Sequence, residues 1–418
     1  MPRSTQSPSP ARSPWAWAAA GAGPQRWLAV GPDGAAIGVR RDRCVAMRAF
    51  RVGSKRPALQ ANAILAALQA DVAAGWVAAG WVSYELGAAT EGIPRLCLKG
   101  GVADAVWWLS SPDAVEAVPL APLPAAAQSL SVARLFGKRG PAFCAQAAEI
   151  VRRIAHGEVY QANLTVAASM PWRGAVDAEA TVAALMAAQP VPLAIAIAGQ
   201  SLVGRPPLLV AAGSMERFVR ANDDSVSMRP IKGTIARGQS EGADQAARET
   251  LFGLPKERAE NTMIVDMARN DLQRVCHPGS VQVTALCEAV RYATLWHLES
   301  EVCGNLQTVD RAALLRATLP PASVTGCPKV AAMHVIAELE QRKRGPYCGA
   351  LFIAHPDHGF DSAVAIRSLV FQGGRVQLSV GAGIVADSDP AAEWRETCLK
   401  AQSGLTTLAI LRQSHGTD

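Results

Sequence analysis

The sequence lacks several features that would mark a membrane, nucleic-acid-binding or disulfide-rich protein. None of its nine cysteines forms a Cys-x-x-Cys pair, and an odd number in 418 residues favours a reducing, cytoplasmic compartment. No apolar run approaches the roughly 20 residues of a membrane helix. The net charge is only +6, and the basic residues are scattered rather than clustered. We therefore expect a protein that binds neither membranes nor nucleic acids.

The composition is that of a folded chain with a large core. Half of the residues are hydrophobic and 18% are charged, and the length allows one large domain or two to three ordinary ones. Residues 1–24 are rich in Pro, Ser, Ala and Arg and contain no acidic residue. A transit peptide and a disordered tail both fit that composition, and we adopt the tail. Residues 25–130 form a second region that ends in a Pro/Ala-rich linker, and residues 136–412 form a third.

Helical and strand-like patterns alternate along the chain. Hydrophobic periodicity predicts helices over 58–74, 141–156 and 256–272. A further helix is expected to begin at Asp389 and Pro390, as N-cap and first residue, and to stop at Gly404. Residues 349–385 predict a meander of three sequential strands. Sequential strands pair antiparallel, so we predict an α+β fold rather than a doubly wound one.

A predicted hairpin in the middle of the chain carries an acid and an amine. Residues 217–220 and 225–231 are typical strands joined by a turn at 222–224, and Glu216 and Lys232 flank them. With a turn centred on Asp223 or Asp224, the two side chains would lie on one face, roughly 5–8 Å apart. A two-residue turn would put Lys232 on the other face. An amine beside a carboxyl group is what a covalent lysine nucleophile requires.

Three glutamates suggest a site for a hard metal ion. Glu260 shares a helix face with apolar residues at spacings of three, four and seven, and a carboxylate buried there needs a compensating cation. Glu393 and Glu396 stand three apart, and Lys400 follows four residues later. Oxygen ligands without His or Cys suit Mg²⁺. Solvent and the positive helix end could instead stabilise Glu260, and Glu396 and Lys400 could form an ordinary surface pair.

Two other polar residues interrupt apolar segments. Arg367 emerges from an apolar strand, where a guanidinium needs an anionic partner, either a structural carboxylate or a ligand. His297 lies in Leu-Trp-His-Leu, and such a histidine is either packed and hydrogen-bonded or catalytic. The pattern alone leaves both alternatives open.

Several motifs in order resemble one enzyme family. Pro-Ile-Lys-Gly-Thr at 230–234 resembles a signature of the chorismate-utilising enzymes, which include aminodeoxychorismate, anthranilate and isochorismate synthases. The lysine is typical of aminodeoxychorismate synthase component I, since anthranilate synthases usually have alanine there. Gly-Glu-Val-Tyr-Gln-Ala-Asn-Leu-Thr at 157–165 is similar to a second family segment. The likeness runs from about residue 140 to the end and includes 256–271, 325–329, 344–349, 365–367 and 381–400.

The resemblance implies a fold and a set of site residues. Two large, mainly antiparallel β-sheets would pack as a sandwich with helices outside, and residues 136–412 would form a chorismate-binding catalytic domain. The implied metal ligands for Mg²⁺ are Glu260 and Glu396, supported by Glu393 and Glu257. The implied substrate contacts are Arg367, Tyr347 and the backbone of Gly383 at one carboxylate of chorismate, with Thr325, Gly326 and Lys400 nearby and His297 beside the leaving hydroxyl.

The resemblance also implies a reaction. The C4 hydroxyl of chorismate would be replaced by an amino group, with Glu216 as general acid and Lys232 as a neutral amine that attacks ring carbon C2. Ammonia would come from a separate glutamine amidotransferase subunit, and the product would lead towards 4-aminobenzoate and folate. One alternative is an anthranilate synthase component. Another is a non-catalytic scaffold that binds the amidotransferase.

Overall fold

The computed structural model describes residues 25–31, 35–40, 43–53, 55–93, 102–121, 123, 130–173, 177–199, 208–292 and 295–414. The tail predicted over residues 1–24 lies outside the described residues, and so does much of the predicted Pro/Ala-rich linker. None of the helices within these ranges has both the length and the apolar composition needed to cross a bilayer.

The described residues contain nineteen strands, and the strand pairs are antiparallel throughout. In chain order they are β1 Gln25–Val30, β2 Ala36–Arg40, β3 Cys44–Phe50, β4 Val77–Val82, β5 Ala105–Ser110, β6 Glu116–Ala117, β7 Gln161–Pro171, β8 Leu193–Gly199, β9 Leu208–Ser214, β10 Arg217–Asn222, β11 Ser225–Arg229, β12 Ile231–Ala236, β13 Gln282–Arg291, β14 Leu295–Asn305, β15 Gly326–Cys327, β16 Ala350–His355, β17 Gly359–Val364, β18 Ser368–Gln372 and β19 Arg375–Ile384.

Ten α-helices accompany these strands in the described part of the chain. They are α1 Pro57–Ala73, α2 Tyr84–Thr90, α3 Val132–Phe136, α4 Gly140–Ala155, α5 Ala178–Ala188, α6 Glu241–Phe252, α7 Pro255–Gln273, α8 Arg311–Thr318, α9 Lys329–Glu340 and α10 Pro390–Ser414.

The strands form two sheets that pack face to face. The first sheet has the order β15-β7-β19-β18-β9-β8-β1-β2-β6, and the second has the order β12-β14-β11-β10-β17-β16-β4-β5-β3, with β13 paired to β14. A buried cluster joins Trp27 and Ile195 of the first sheet to Trp81 and Leu351 of the second. Separate clusters bury α5 and α10 against the first sheet and α1 and α8 against the second. The predicted α+β sandwich with outer helices is therefore confirmed.

Strands from the first 120 residues belong to both sheets. β1 pairs with β8 in the first sheet, and β4 pairs with β16 in the second. Through these pairs, β2 and β6 extend the first sheet, and β5 and β3 extend the second. The domain boundary near residue 130 stays a prediction from composition. Each of the two sheets contains strands from both sides of this boundary.

The meander predicted over 349–385 is wrong in its middle strand. Residues 359–364 form β17 of the second sheet, whereas residues 368–372 form β18 of the first sheet. The chain changes sheets at Arg367, whose φ of 50° lies in the left-handed region that a continuing strand cannot adopt. Arg367 therefore sits at the passage between the two sheets rather than within a strand.

The C-terminal helix begins as predicted but does not stop at Gly404. The Asp389 carboxylate accepts a hydrogen bond from the Ala392 amide at 2.7 Å, as an N-cap does. The helix then continues to Ser414. Gly404 is buried against β19, and a methyl group added there would lie 2.7 Å from Leu378 Cδ1. This glycine allows close helix–sheet packing instead of ending the helix.

Candidate active site

A cavity of about 480 Å³ lies where β12, α7, β19 and α10 meet. This volume is within the usual range for small-ligand sites. Eleven of the thirteen predicted site residues line it, namely Glu216, Lys232, Glu257, Glu260, His297, Tyr347, Arg367, Gly383, Glu393, Glu396 and Lys400.

Thr325 and Gly326, the other two predicted site residues, are not among the residues that line the cavity. The Thr325 side chain is fully buried, and its hydroxyl donates a hydrogen bond of 2.8 Å to the Pro321 carbonyl. Gly326 pairs with Ala162 in the edge of the first sheet, and its φ of 135° favours glycine. Both residues shape the turn behind the cavity.

Glu216 and Lys232 reach this cavity by a different path from the one predicted. The hairpin has a two-residue turn, because Asn222 pairs with Ser225, and its second strand ends at Arg229. Pro230 separates β11 from β12, and β12 pairs with β14 rather than with β10. The length of the turn therefore does not determine the face on which Lys232 lies. Tertiary pairing, not the hairpin, brings the two side chains together.

A β-bulge presents Lys232. Lys232 is opposite Leu298 and Thr234 is opposite His297, so Gly233 is the extra residue, with φ of 75°. A bulge locally increases the twist and re-aims a neighbouring side chain. The Lys232 ammonium lies 3.4 Å from a carboxylate oxygen of Glu260.

Glu216 is a buried carboxyl group held by its backbone. Its amide donates to the Ser214 hydroxyl at 3.1 Å, and its carbonyl accepts from the Val364 amide at 3.1 Å. The residue is 7% exposed. Burial raises the pKa of Glu216 from 4.5 to about 7, against the opposing influence of the Ser323 hydroxyl and the Lys232 ammonium. Near neutral pH this group can therefore donate a proton.

His297 is a neutral imidazole at the cavity wall. Burial, together with the Arg367 charge, lowers its pKa to about 4. Nδ1 lies 2.8 Å from the Thr234 hydroxyl and 3.3 Å from the Gly233 carbonyl, so the carbonyl favours a proton on Nδ1. Nε2 is buried and has no hydrogen-bond partner among the described residues. This nitrogen is available as an acceptor for a ligand group.

Arg367 is a largely buried cation with neutral partners. Its Nη1 donates to Gln189 Oε1 at 2.7 Å and to the Ser403 hydroxyl at 3.0 Å. Burial lowers the pKa of Arg367, and the nearby Tyr347 opposes this shift. No carboxylate in the described part of the chain forms an ion pair with it, so the structural-carboxylate alternative is not what the structure shows. A buried guanidinium beside a cavity favours an anionic ligand.

Three of the four glutamates proposed as metal ligands, Glu260, Glu393 and Glu396, are paired with lysines. Lys256 Nζ lies between Glu260 and Glu393, at 4.0 Å and 3.8 Å from their Oε1 atoms, and Lys400 Nζ lies 2.6 Å from Glu396 Oε1. Within the described ranges, no three His, Cys, Asp or Glu side chains converge as a metal ion requires. The all-carboxylate donors still fit a hard cation, which would take the place of a lysine ammonium. The Mg²⁺ site stays a prediction.

Burial and neighbouring charges shift the pKa values of three of these glutamates. Burial and the charge of Glu260 raise the pKa of Glu257, and burial raises the pKa of Glu393 although the Ser388 hydroxyl opposes it. Partial burial also opposes ionisation of Glu396, but the Lys400 ammonium lowers its pKa overall. Glu260 is mostly buried, so its charge is balanced by lysines rather than by solvent.

Some residues at the cavity were not predicted. Asn163 and Lys256 line it, and each falls within a segment that resembles the family, so the motifs could have indicated them. Ser323 and Ser379 also line it. Single serines in strands and short turns carry no sequence signal of this kind.

A buried guanidinium fixes two walls of the cavity. Arg344 donates to the carbonyls of Asn163 and Val324, both of which line the cavity, and pairs with Glu340 at 2.7 Å. Its guanidinium stacks over the Tyr84 ring, 4.4 Å from the ring centroid. The Arg344 and Glu340 side chains are at most 1% exposed. The pair therefore links β7 and the segment before β15 in a dry environment.

Replacing Arg344→Met should lower the free energy of unfolding by about 3 kcal/mol, because the buried Glu340 carboxylate would lose its closest cation and keep only the more distant Arg342, at 3.5 Å, as an ion-pair partner among the described residues. Urea denaturation followed by circular dichroism measures this change. Arg152→Met is the matched control, since Arg152 pairs with Glu149 on an exposed helix face. The control should change stability by less than about 1 kcal/mol. Equal stability of the two variants would contradict the importance of the buried pair.

Comparison with known proteins identifies the family. A cavity with a lysine, a carboxyl group of raised pKa and a largely buried guanidinium is typical of an enzyme site for a small anionic ligand. The sequence profile of the chorismate binding enzyme family matches residues 16–406. The chain therefore belongs to the chorismate binding enzymes.

The alignments with individual relatives cover only part of each protein. An aminodeoxychorismate synthase of Streptomyces pristinaespiralis is 40% identical over 269 residues, which is 64% of this chain and 36% of that protein. Anthranilate synthase component 1 of Aquifex aeolicus is 41% identical over 208 residues, or 50% of this chain and 42% of that protein. The alignments thus span less than half the length of these relatives.

Two solved structures share the fold. Anthranilate synthase component I of Streptococcus pneumoniae superposes with a TM-score of 0.63 at 25% identity, covering 79% of this chain and 80% of that one. The menaquinone-specific isochorismate synthase MenF of Escherichia coli gives a TM-score of 0.66 at 22% identity, covering 92% and 88%. The second likeness supports the fold alone.

Proposed function

We propose that this chain is an aminodeoxychorismate synthase component I, which replaces the C4 hydroxyl of chorismate with an amino group through a covalent lysine intermediate. The observation that carries the proposal is that Lys232 and Glu216 line the same cavity. The nucleophile and the acid of this reaction must both reach one ligand. The resemblance of 230–234 to the family signature with lysine supports the choice of this family member.

The cavity also has groups that suit a dicarboxylate. Arg367, with two neutral partners, and Tyr347 would bind one carboxylate, together with the backbone of Gly383. Lys400 Nζ, 3.3 Å from the Gly381 carbonyl, lies at the same wall and would add positive charge. These contacts would fix the ring relative to Lys232.

Glu260 and Glu396, supported by Glu393 and Glu257, would hold Mg²⁺ in the proposed enzyme. Bound there, the cation would neutralise the ring carboxylate and withdraw electron density from the ring. Lys256 would withdraw from its position between Glu260 and Glu393.

The proposed chemistry balances in two displacements. The neutral amine of Lys232 forms a bond to C2, the two ring double bonds shift, and the C4–O bond breaks as Glu216 gives its proton to the departing hydroxyl, which leaves as water. Ammonia then forms a bond to C4, the double bonds shift back, and the C2–Nζ bond breaks to release the neutral amine. The product ammonium returns a proton to Glu216. His297 Nε2 would accept a hydrogen bond from the C4 hydroxyl.

A glutamine amidotransferase subunit would supply the ammonia, and the product would be 4-amino-4-deoxychorismate, a precursor of 4-aminobenzoate and folate. We place this activity in the cytoplasm, because an odd number of cysteines with no Cys-x-x-Cys pair favours a reducing compartment. An anthranilate synthase component is the second candidate, because relatives of that name are 41% identical over half of the chain.

Product analysis separates the two candidates. Purified full-length protein with chorismate, ammonium and Mg²⁺ should form 4-amino-4-deoxychorismate, detected by liquid chromatography and mass spectrometry, and should form none when EDTA replaces Mg²⁺. Anthranilate, detected by its fluorescence, should stay at the background of a protein-free sample. Strong anthranilate production would defeat the proposal and establish the second candidate.

A further inference from the structure

Gln161, the first residue of β7, is a buried amide with unused hydrogen-bonding capacity. Its side chain has no solvent exposure, and neither Nε2 nor Oε1 has a hydrogen-bond partner among the residues that the structure describes. Nearly all buried polar atoms in proteins are paired, so an amide left unpaired at both ends needs a specific explanation. The neighbourhood of Gln161 provides one.

Gly383 places Gln161 next to the proposed nucleophile. A methyl group added to Gly383 would lie 2.7 Å from Gln161 Nε2 and 3.3 Å from Lys232 Nζ. Both polar ends therefore approach the same side of the β19 backbone, in the space that the missing side chain leaves open. Their separation is at most the sum of those two distances.

The position of Gln161 is fixed by backbone pairing on both sides of β7. Gln161 pairs with Cys327 of β15, and the following residue, Ala162, pairs with Ile384 of β19. The amide thus belongs to the rigid first sheet, whereas Lys232 comes from the second sheet. A bond between the two would connect the sheets directly beside Gly383, which lines the cavity.

Lys232 is held by Glu260, which is also a proposed metal ligand. The ammonium lies 3.4 Å from the Glu260 carboxylate in this structure. When Glu260 binds a cation, that contact is lost and the amine needs a new partner. Gln161 has the vacant capacity, because half a turn of its amide presents Oε1 where Nε2 now lies.

We propose that Gln161 is a positioning residue for Lys232. Its carboxamide oxygen accepts a hydrogen bond from the amine once the amine leaves Glu260, and so directs the nitrogen towards the ligand. The inference rests on the proposed function, in which Lys232 is the nucleophile. A residue of this kind changes the rate of adduct formation and leaves ligand affinity almost unchanged.

The test is a Gln161→Met variant of the full chain, which keeps the side-chain length and removes both hydrogen-bonding atoms. With saturating chorismate and Mg²⁺ and no ammonia, mass spectrometry follows the appearance of the Lys232 adduct. We expect the rate to fall about tenfold, the effect of one lost hydrogen bond, while the Kd for chorismate from tryptophan fluorescence stays within about twofold. Gln146→Met is the control and should match the wild type, since its amide already donates to the Leu339 carbonyl, whereas the Gln161 amide has no partner among the described residues.

Equal adduct rates in Gln161→Met and wild type would overturn the inference and leave Lys232 as nucleophile. Weaker binding at an unchanged rate would overturn it too, because Gln161 would then contact the ligand instead. Lack of an adduct in the wild type would defeat the proposed function. In that case, or if Gln161→Met does not fold, a crystal structure of Glu260→Ala decides. Lys232 Nζ hydrogen-bonded to Gln161 supports the inference, and Lys232 turned to Glu257 or Glu396 overturns it.

Discussion

Lys232→Ala is expected to lower the rate of chorismate amination by a thousandfold or more, on the order seen when a covalent nucleophile is removed. The bulge at Gly233 aims Lys232 into the cavity, and its amine is paired there with Glu260. Alanine removes the only atom of residue 232 that could bond to the ring. Formation of 4-amino-4-deoxychorismate from chorismate, ammonium and Mg²⁺ measures the rate, and mass spectrometry should detect no adduct on the variant.

Lys138→Ala is the matched control for this prediction. Lys138 is an exposed lysine in a short helical turn before α4, so its loss should leave the rate within about twofold of the wild type. If the Lys232→Ala protein retained full activity with its amidotransferase, the non-catalytic scaffold would be the better account.

Glu216→Gln should reduce the amination rate by about 10²–10⁴-fold, the usual contribution of a general acid. The amide keeps the size of the carboxyl group and cannot release a proton to the departing hydroxyl. The wild-type rate should also fall as pH rises above about 7, because Glu216 then loses the proton that it must donate. That pH-dependent decline should be absent from the residual activity of the variant, which a pH–rate profile measures.

The same substitution should stabilise the protein. Folding raises the pKa of Glu216 from 4.5 to about 7, so the wild type loses stability as pH rises between these values. Above pH 7 the loss amounts to roughly 3 kcal/mol. The glutamine variant does not ionise and avoids it. Urea denaturation at pH 5 and pH 8 should show a larger advantage of the variant at pH 8, and an equal advantage at both would contradict the buried acid.

Local sequence patterns predicted the helices around the site well. The periodic segments near 141–156 and 256–272 correspond to α4 and α7, and the capping signal at Asp389 marks the start of α10. The apolar face shared by Glu260 predicted a buried carboxylate, and its side chain is only 12% exposed. Helix patterns succeed because their contacts are local, and the family motifs added the residues that come from distant elements.

The path of the chain between elements could not be predicted in the same way. Short apolar runs on both sides of Arg367 fit one long strand, and nothing local shows that the chain changes sheets there. β12 pairs with β14, which lies far along the chain, so the position of Lys232 could not be predicted from the hairpin. Glycine is common at helix ends, but Gly404 lies inside α10, where it allows close packing against Leu378 of β19. These features are set by tertiary contacts.

The mixed membership of both sheets limits how this protein can be divided. A chain cut near residue 130 would leave β8 and β16 with unpaired edges, since their neighbours β1 and β4 lie before the cut. Exposed edges of that kind invite association with other chains. The strands β1 and β4 thus cover two strand edges in the half of the chain that holds the proposed catalytic residues.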